Sequence, residues 1–209
     1  MNEHEGEPIR GLPELPPAGE QILWQGEPQW GLLARRVFHV RKVAAYFAAI
    51  VLFQVGSGVA SGTPLSEIVQ GSSWVAALGL AGIGILTLLA WLYARTTVYT
   101  LTSHRVVLRF GVALPMIVNI PWSRIASADL VRFRDGSGEI ALTPAPGERL
   151  SYMLLWPHAR PWRFTPVQPT LRGLQDPETV AARIANAVRT SSAEAAAEGR
   201  FGQAAAGLS

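Results

Sequence analysis

The residues best suited to grip another molecule lie together at Trp156-Pro-His158-Ala-Arg160-Pro-Trp162-Arg163-Phe164. Tryptophan and arginine dominate interface hot spots: one supplies a large rigid apolar surface, the other a planar fork of donors. The two prolines limit the freedom such a loop would lose on docking. The chemistry on offer is recognition, and Trp156, His158, Arg160, Trp162, Arg163 and Phe164 are the candidate partner-binding residues. The competing reading is that both tryptophans pack onto the fold itself and the arginines are solvated.

Catalytic chemistry is poorly provided for. The chain has no GxSxG elbow, HExxH helix, P-loop or GxGxxG turn. His4, His39, His104 and His158 are scattered without metal-ligand spacing, and Asp135 and Glu139 flank a predicted turn. Cysteine is absent, which removes disulfides, thiolate metal sites and cysteine nucleophiles. The chain therefore reads as no enzyme, with no catalytic, cofactor-binding or metal residue, no cofactor, and no nucleic-acid partner. An imidazole can ligate a pigment metal, but interfacial packing is the preferred reading of His39.

The elements that must hold the loop begin with a membrane pattern. Only 16% of residues are charged, against roughly 25% in soluble domains, and residues 43–61 and 74–93 contain no charged residue at all. About 20 helical residues cross a ~30 Å hydrocarbon core. Trp74, Trp91 and Tyr93 sit near the ends of the second segment, where aromatic belts form. Buried helices of a soluble protein would have to be apolar on every face. A cleaved signal would not have 42 residues before it and a second span after it.

Charge sets the direction. Arg35, Arg36, Arg41 and Lys42 precede the first span and Arg95 follows the second, while the loop 62–73 has Glu67 and no Lys or Arg. Basic residues stay cytoplasmic. The expectation is a multi-pass protein of the inner membrane with both termini cytoplasmic and a periplasmic loop. These five basic residues are its membrane-surface candidates, and the bilayer is a partner. Ala45 and Ala49 with Ala77 and Ala81 form small-xxx-small pairs that let helix backbones approach. Packing within the hairpin is the default, and homodimerisation through the same faces is the alternative.

A tether of residues 95–98 leads into VYTLTSHRVVLRFG, whose period of two argues for strands. Further strands are expected at 116–122, 124–133, 139–143 and 149–155, with an extended segment at 163–167. Asp176 then caps a helix with Pro177 and Glu178 in its first turn, and Val180, Ile184 and Val188 share one face. The expected domains are an N-terminal segment 1–30, flexible at least to about 18, a hairpin 31–96, a cytoplasmic domain 97–190 and a disordered Ala-rich tail 191–209. The fold class is an α+β membrane protein: a transmembrane helical hairpin followed by a β-barrel or sandwich capped by a C-terminal helix.

The order YTLTSHRVVLRFG, IPWSRI, DGSGEI and QDPETVAARIANAV resembles bacterial pleckstrin-homology-like (PH-like) domains found beside transmembrane hairpins. The stretches LPPAGEQILWQGEPQW (15–30), RRVFHVRKVAAYF (35–47), YTLTSHRVVLRFGVALPM (99–116) and SYMLLWPHARPWRF (151–164) are similar to photosynthetic-complex assembly proteins of purple bacteria. The resemblance implies a seven-stranded PH-like barrel closed by its helix. It also implies a non-catalytic assembly factor whose partners are reaction-centre or light-harvesting 1 subunits. It supplies no site residues. The alternative is a membrane-anchored PH-like module that binds anionic lipid or scaffolds envelope proteins.

Overall fold

The structure is a computed structural model that describes residues 9–12, 14–147 and 150–206. Expectations for residues 1–8, 13, 148–149 and 207–209 lie outside the described residues. The chain forms two compact units: Met1–Gln29 with Arg95–Ser209, and Trp30–Ala94. Each is described by itself.

The first unit is built from two four-stranded antiparallel sheets. One has the order β1 (Ile22–Gly26), β2 (Val98–Thr102), β3 (Arg105–Phe110), β4 (Met116–Pro121). The other has the order β5 (Ile125–Arg132), β6 (Gly138–Pro144), β8 (Val167–Leu174), β7 (Ala159–Phe164). Of the expected barrel or sandwich, the described residues form two separate sheets and no closed barrel, and an eighth strand, β1, joins from the chain before the apolar helices. Apolar side chains from both sheets make one core that includes Tyr99, Leu108, Phe110, Ile140, Leu142 and Leu171. Trp122 is buried at the turn between the sheets and donates its indole N–H to the Thr102 carbonyl at 3.0 Å.

Helix α5 (Pro177–Ala206) lays Val180, Ile184 and Ala187 into that core. Asp176 Oδ1 accepts from the Thr179 N–H at 3.1 Å, satisfying one of the orphan donors of the first turn. The helix continues through residues 191–206, where a disordered tail was expected. The expected strand at 149–155 is corrected to a short helix, α4 (Tyr152–Leu155), whose Leu155 N–H reaches the Ser151 carbonyl at 3.1 Å. Leu and Met favour a helical turn, and this one sends Leu155 into the core while Met153 and Leu154 face outward.

Strand β1 is held in several ways. It pairs antiparallel with β2, Gln25 opposite Thr100 and Gly26 opposite Tyr99. Gln25 Nε2 donates to Thr100 Oγ1 at 2.9 Å and to the Arg10 carbonyl at 2.6 Å. The Gln29 N–H reaches the Gly173 carbonyl at 2.9 Å. Just before β1, Glu20 takes a bidentate pair from Arg105 at 2.8 and 2.9 Å, with the Glu20 side chain 4% exposed. Burial alone would raise its pKa, but hydrogen bonds from Arg105 and Thr102 outweigh burial and hold the carboxyl below its ordinary range. Residues expected to be flexible, such as Leu12, are instead buried.

The second unit contains α1 (Trp30–Arg36), α2 (Val40–Ala60) and most of α3 (Leu65–Thr96). Helices α2 and α3 are both long and apolar enough to cross a membrane. The helix α3 starts earlier than expected, leaving only residues 61–64 between the two. Pro64 ends the preceding turn and Glu67 sits in the first turn of α3, beside its positive end. The expected contact through Ala45, Ala49, Ala77 and Ala81 is corrected, for all four are exposed. Close approach occurs at glycines: a Cβ on Gly79 would lie 2.8 Å from the Phe47 ring, and one on Gly58 would lie 2.7 Å from Ile68.

Candidate functional site

Helix α3 ends at Thr96 and β2 begins at Val98, so one residue, Thr97, joins helix to sheet. That joint is tied to the loop of interest. His158 is completely buried, with Nε2 3.2 Å from Thr97 Oγ1 and Nδ1 2.9 Å from the Tyr99 hydroxyl. Tyr99 accepts the Arg172 N–H at 3.1 Å. Its own O–H can reach Nδ1 at 2.9 Å or the Arg172 carbonyl at 3.5 Å; donation along the shorter contact pairs with Nε2–H donating to Thr97. The imidazole also packs at 4.9 Å from the Phe110 ring and edge-on to Tyr99.

Burial, helped by the charge of Arg172, pushes the His158 pKa down to about 3, so the ring is neutral. Burial likewise raises the Tyr99 phenol above its ordinary value. The guanidinium of Arg172 donates to the Ala159 carbonyl at 2.6 Å and lies 4.0 Å from the Glu139 carboxylate. The cluster fixes the start of β7 to Thr97 and β2. His158 is thus corrected from a partner-binding residue to a structural clamp.

The other expected residues divide. Arg160 is held by Asp129 at 3.0 Å and by Gln168 at 2.9 Å, which orients it across the sheet. Trp156 is 47%, Trp162 86% and Phe164 59% exposed. Arg163 is exposed with no ion pair among the described residues. Strand β7 bulges: Ala159 faces Pro169 and Phe164 faces Val167, so five residue steps on one strand oppose two on the other. Trp162 sits in this bulge with φ 61°, in the left-handed region. A non-glycine residue there costs about 1–2 kcal/mol, so the fold sustains strain to display an indole. Met153 and Leu154 of α4 extend the apolar surface, and the Phe164 ring lies 4.8 Å from that of Tyr152. Those α4 residues escaped notice in the sequence because the segment alternates loosely enough to pass for a strand.

Arg35, Arg36, Arg41 and Lys42 are exposed around the break between α1 and α2, and Arg95 is exposed in the last turn of α3. His39 forms the break, with φ 53° at the cap of α2. Among the described residues no group of three or more His, Asp or Glu side chains could hold a metal ion. A second open surface is the edge of β5, which with α5 borders a groove lined by Ile125, Ala128, Leu130, Ala181, Ile184 and Val188. An unpaired edge beside an apolar groove can take an extended segment.

The sequence profile of the family described as Bacterial PH domain matches residues 34–188. The match runs from α1 into α5 and leaves β1 before it. A Rhodobacter capsulatus protein described as an uncharacterized 23.7 kDa protein in the puhA 5′ region is 39% identical over 201 residues, covering 90% of each chain. No solved structure matches.

Proposed function

Because this chain belongs to the bacterial PH domain family, we propose that it is a membrane-anchored, non-catalytic assembly factor of the PuhB kind. It serves the photosynthetic reaction centre and its light-harvesting 1 ring, capturing subunits at the cytoplasmic face. The observation that carries this reading is the near-full-length relative from the puhA 5′ region, a setting that agrees with the resemblance to assembly proteins of purple bacteria.

The fold adds support of its own. Strand β1 precedes α2 and α3 in the chain, β2 follows them, and the two strands pair. Strands can pair only in one compartment, so the chain between them crosses a bilayer an even number of times. Two spans satisfy this parity, as does no crossing at all, and the pairing supports the two-span reading over a single span or a signal cleaved near Ala60. Helix α2 has no fully buried residue, so much of its apolar surface is left uncovered and lipid is the natural solvent for it. The basic residues flanking the hairpin support the reading that both flanks are cytoplasmic. Only Thr97 separates α3 from β2 in the chain, and so short a tether to a span raises the effective concentration of the sheets toward membrane subunits. The β5 edge and its groove remain open to such a partner.

Affinity-tagged full-length chain, recovered in mild detergent from photosynthetically grown cells, is expected to bring down reaction-centre or light-harvesting 1 subunits. Deletion of its gene should lower the amount of assembled complex. Recovery of the chain from the membrane with none of these subunits, and unchanged complex in the deletion strain, would overturn the reading.

A further inference from the structure

We infer that Leu114, Met153, Leu154, Trp156, Trp162 and Phe164 form a rim that inserts into the interfacial layer of the bilayer around the point where α3 ends. The inference rests on reading α2 and α3 as membrane spans.

The placement follows from contacts within the sheet-containing unit. His158 is bonded to Thr97, the residue directly after α3. Trp156 is two residues from His158, a reach of at most about 7 Å. Trp156 also closes α4, its N–H meeting the Tyr152 carbonyl at 3.1 Å, and the Tyr152 ring packs tilted against that of Phe164. The β3–β4 turn belongs to the same end of the sheet, because Val98 pairs with Arg109 and the Phe110 ring packs on His158. In that turn Gly111 has φ 126°, and a Cβ there would lie 2.1 Å from the Leu114 carbonyl oxygen. Only glycine permits a turn this tight, and it leaves Leu114 79% exposed. With Met153 at 84% and Trp162 at 86%, the three most exposed large apolar residues of the unit, among those described, sit in the β3–β4 turn, α4 and β7.

The composition suits lipid. Residues 150–164 contain Arg160 and Arg163 and no acidic residue. Indole and phenyl rings with nearby guanidinium groups partition to the headgroup boundary, rings inward and charges toward phosphate. The same rings in water would be a large exposed apolar patch of the kind soluble surfaces avoid. Insertion would hold the sheets in one orientation.

The chain has no cysteine, so single cysteines report cleanly. Full-length chains carrying Met153→Cys, Trp162→Cys, His104→Cys or Leu78→Cys are spin-labelled and reconstituted in phosphatidylcholine nanodiscs. Accessibility to oxygen is then compared with accessibility to a water-soluble nickel chelate. His104 lies in the turn at the far end of β2 and is the aqueous control; Leu78 lies in α3 and tests the span itself. Labels at 153 and 162 are expected to favour oxygen several-fold relative to 104, at a shallower depth than 78. Labels at 153 and 162 as nickel-accessible as 104, with 78 deep, would overturn this inference alone. A nickel-accessible label at 78 would overturn the span reading beneath it. Shielding at 153 and 162 that appears only when photosynthetic subunits are added would assign the rim to a protein partner and overturn lipid insertion.

Discussion

Replacing His158 with alanine is expected to destabilise the sheet-containing unit by about 3–5 kcal/mol. The cost has two sources. A buried ring packed against Phe110 and Tyr99 is lost, and the surrounding sheets relax only partly into the space. The hydroxyls of Thr97 and Tyr99 also lose their buried partner, which adds the cost of leaving buried polar groups unpaired. The wild-type should also carry a pH signature. Its folded pKa, about 3, is depressed below the ordinary 6.5, so the unfolded chain takes up the proton first. The contribution of His158 is therefore complete above pH 6.5 and declines as pH falls toward 3, by about 1.4 kcal/mol per pH unit. Denaturant melts of the full chain in detergent at pH 7 and pH 5 check both points. The alanine variant should lose the part of the acid slope that belongs to His158. A change below about 1 kcal/mol on substitution, with the acid slope intact, would mean the imidazole is not the clamp described.

Deleting residues 40–60 is expected to abolish the folded unit. With one span left, β1 and β2 fall on opposite sides of the bilayer. Strand β2 then loses its partner along Tyr99, Thr100 and Leu101, Arg105 loses Glu20, and Arg183 loses the Leu23 carbonyl. The apolar packing of Leu23 and Trp24 against the core goes as well. Together these losses match the whole stability of a typical domain, about 5–15 kcal/mol. The truncated chain should be degraded in cells and yield no protease-resistant core in membranes. A stable, resistant core of unchanged size would refute the shared-compartment argument.

Local pattern carried much of the fold and long-range pairing carried the rest. Strands β2 and β3 are marked by β-branched residues and a period-two pattern in sequence, although nearly every residue in them is buried, and the last helix is announced by Asp176-Pro177-Glu178 and its apolar stripe. Strand β1 is five residues long inside a Pro- and Glu-rich lead-in, and its partner lies about seventy residues on. Nothing local records that pairing. Strand β8 is central yet contains Pro169, a residue that argues against a central strand. It is tolerated because the β6–β8 ladder ends at Ala141 opposite Thr170, one residue short of the proline. In the hairpin, small residues did mark close approach, but glycines opposite Phe47 and Ile68 supplied it rather than the alanines. The aromatic loop was legible as a display of Trp and Arg. The burial of its histidine was not, because the Thr97 and Tyr99 partners come from a segment about sixty residues earlier.

The central claim is that the two flanks of the apolar hairpin fold together on one side of a membrane. Single cysteines at Leu15, Thr63 and Arg134, placed in the otherwise cysteine-free chain, can be challenged with a membrane-impermeant maleimide in sealed inverted vesicles. The account predicts labelling at 15 and 134, with 63 reacting only after the vesicles are opened. Labelling of 15 and 134 from opposite sides, or of 63 from the same side as both, would contradict it.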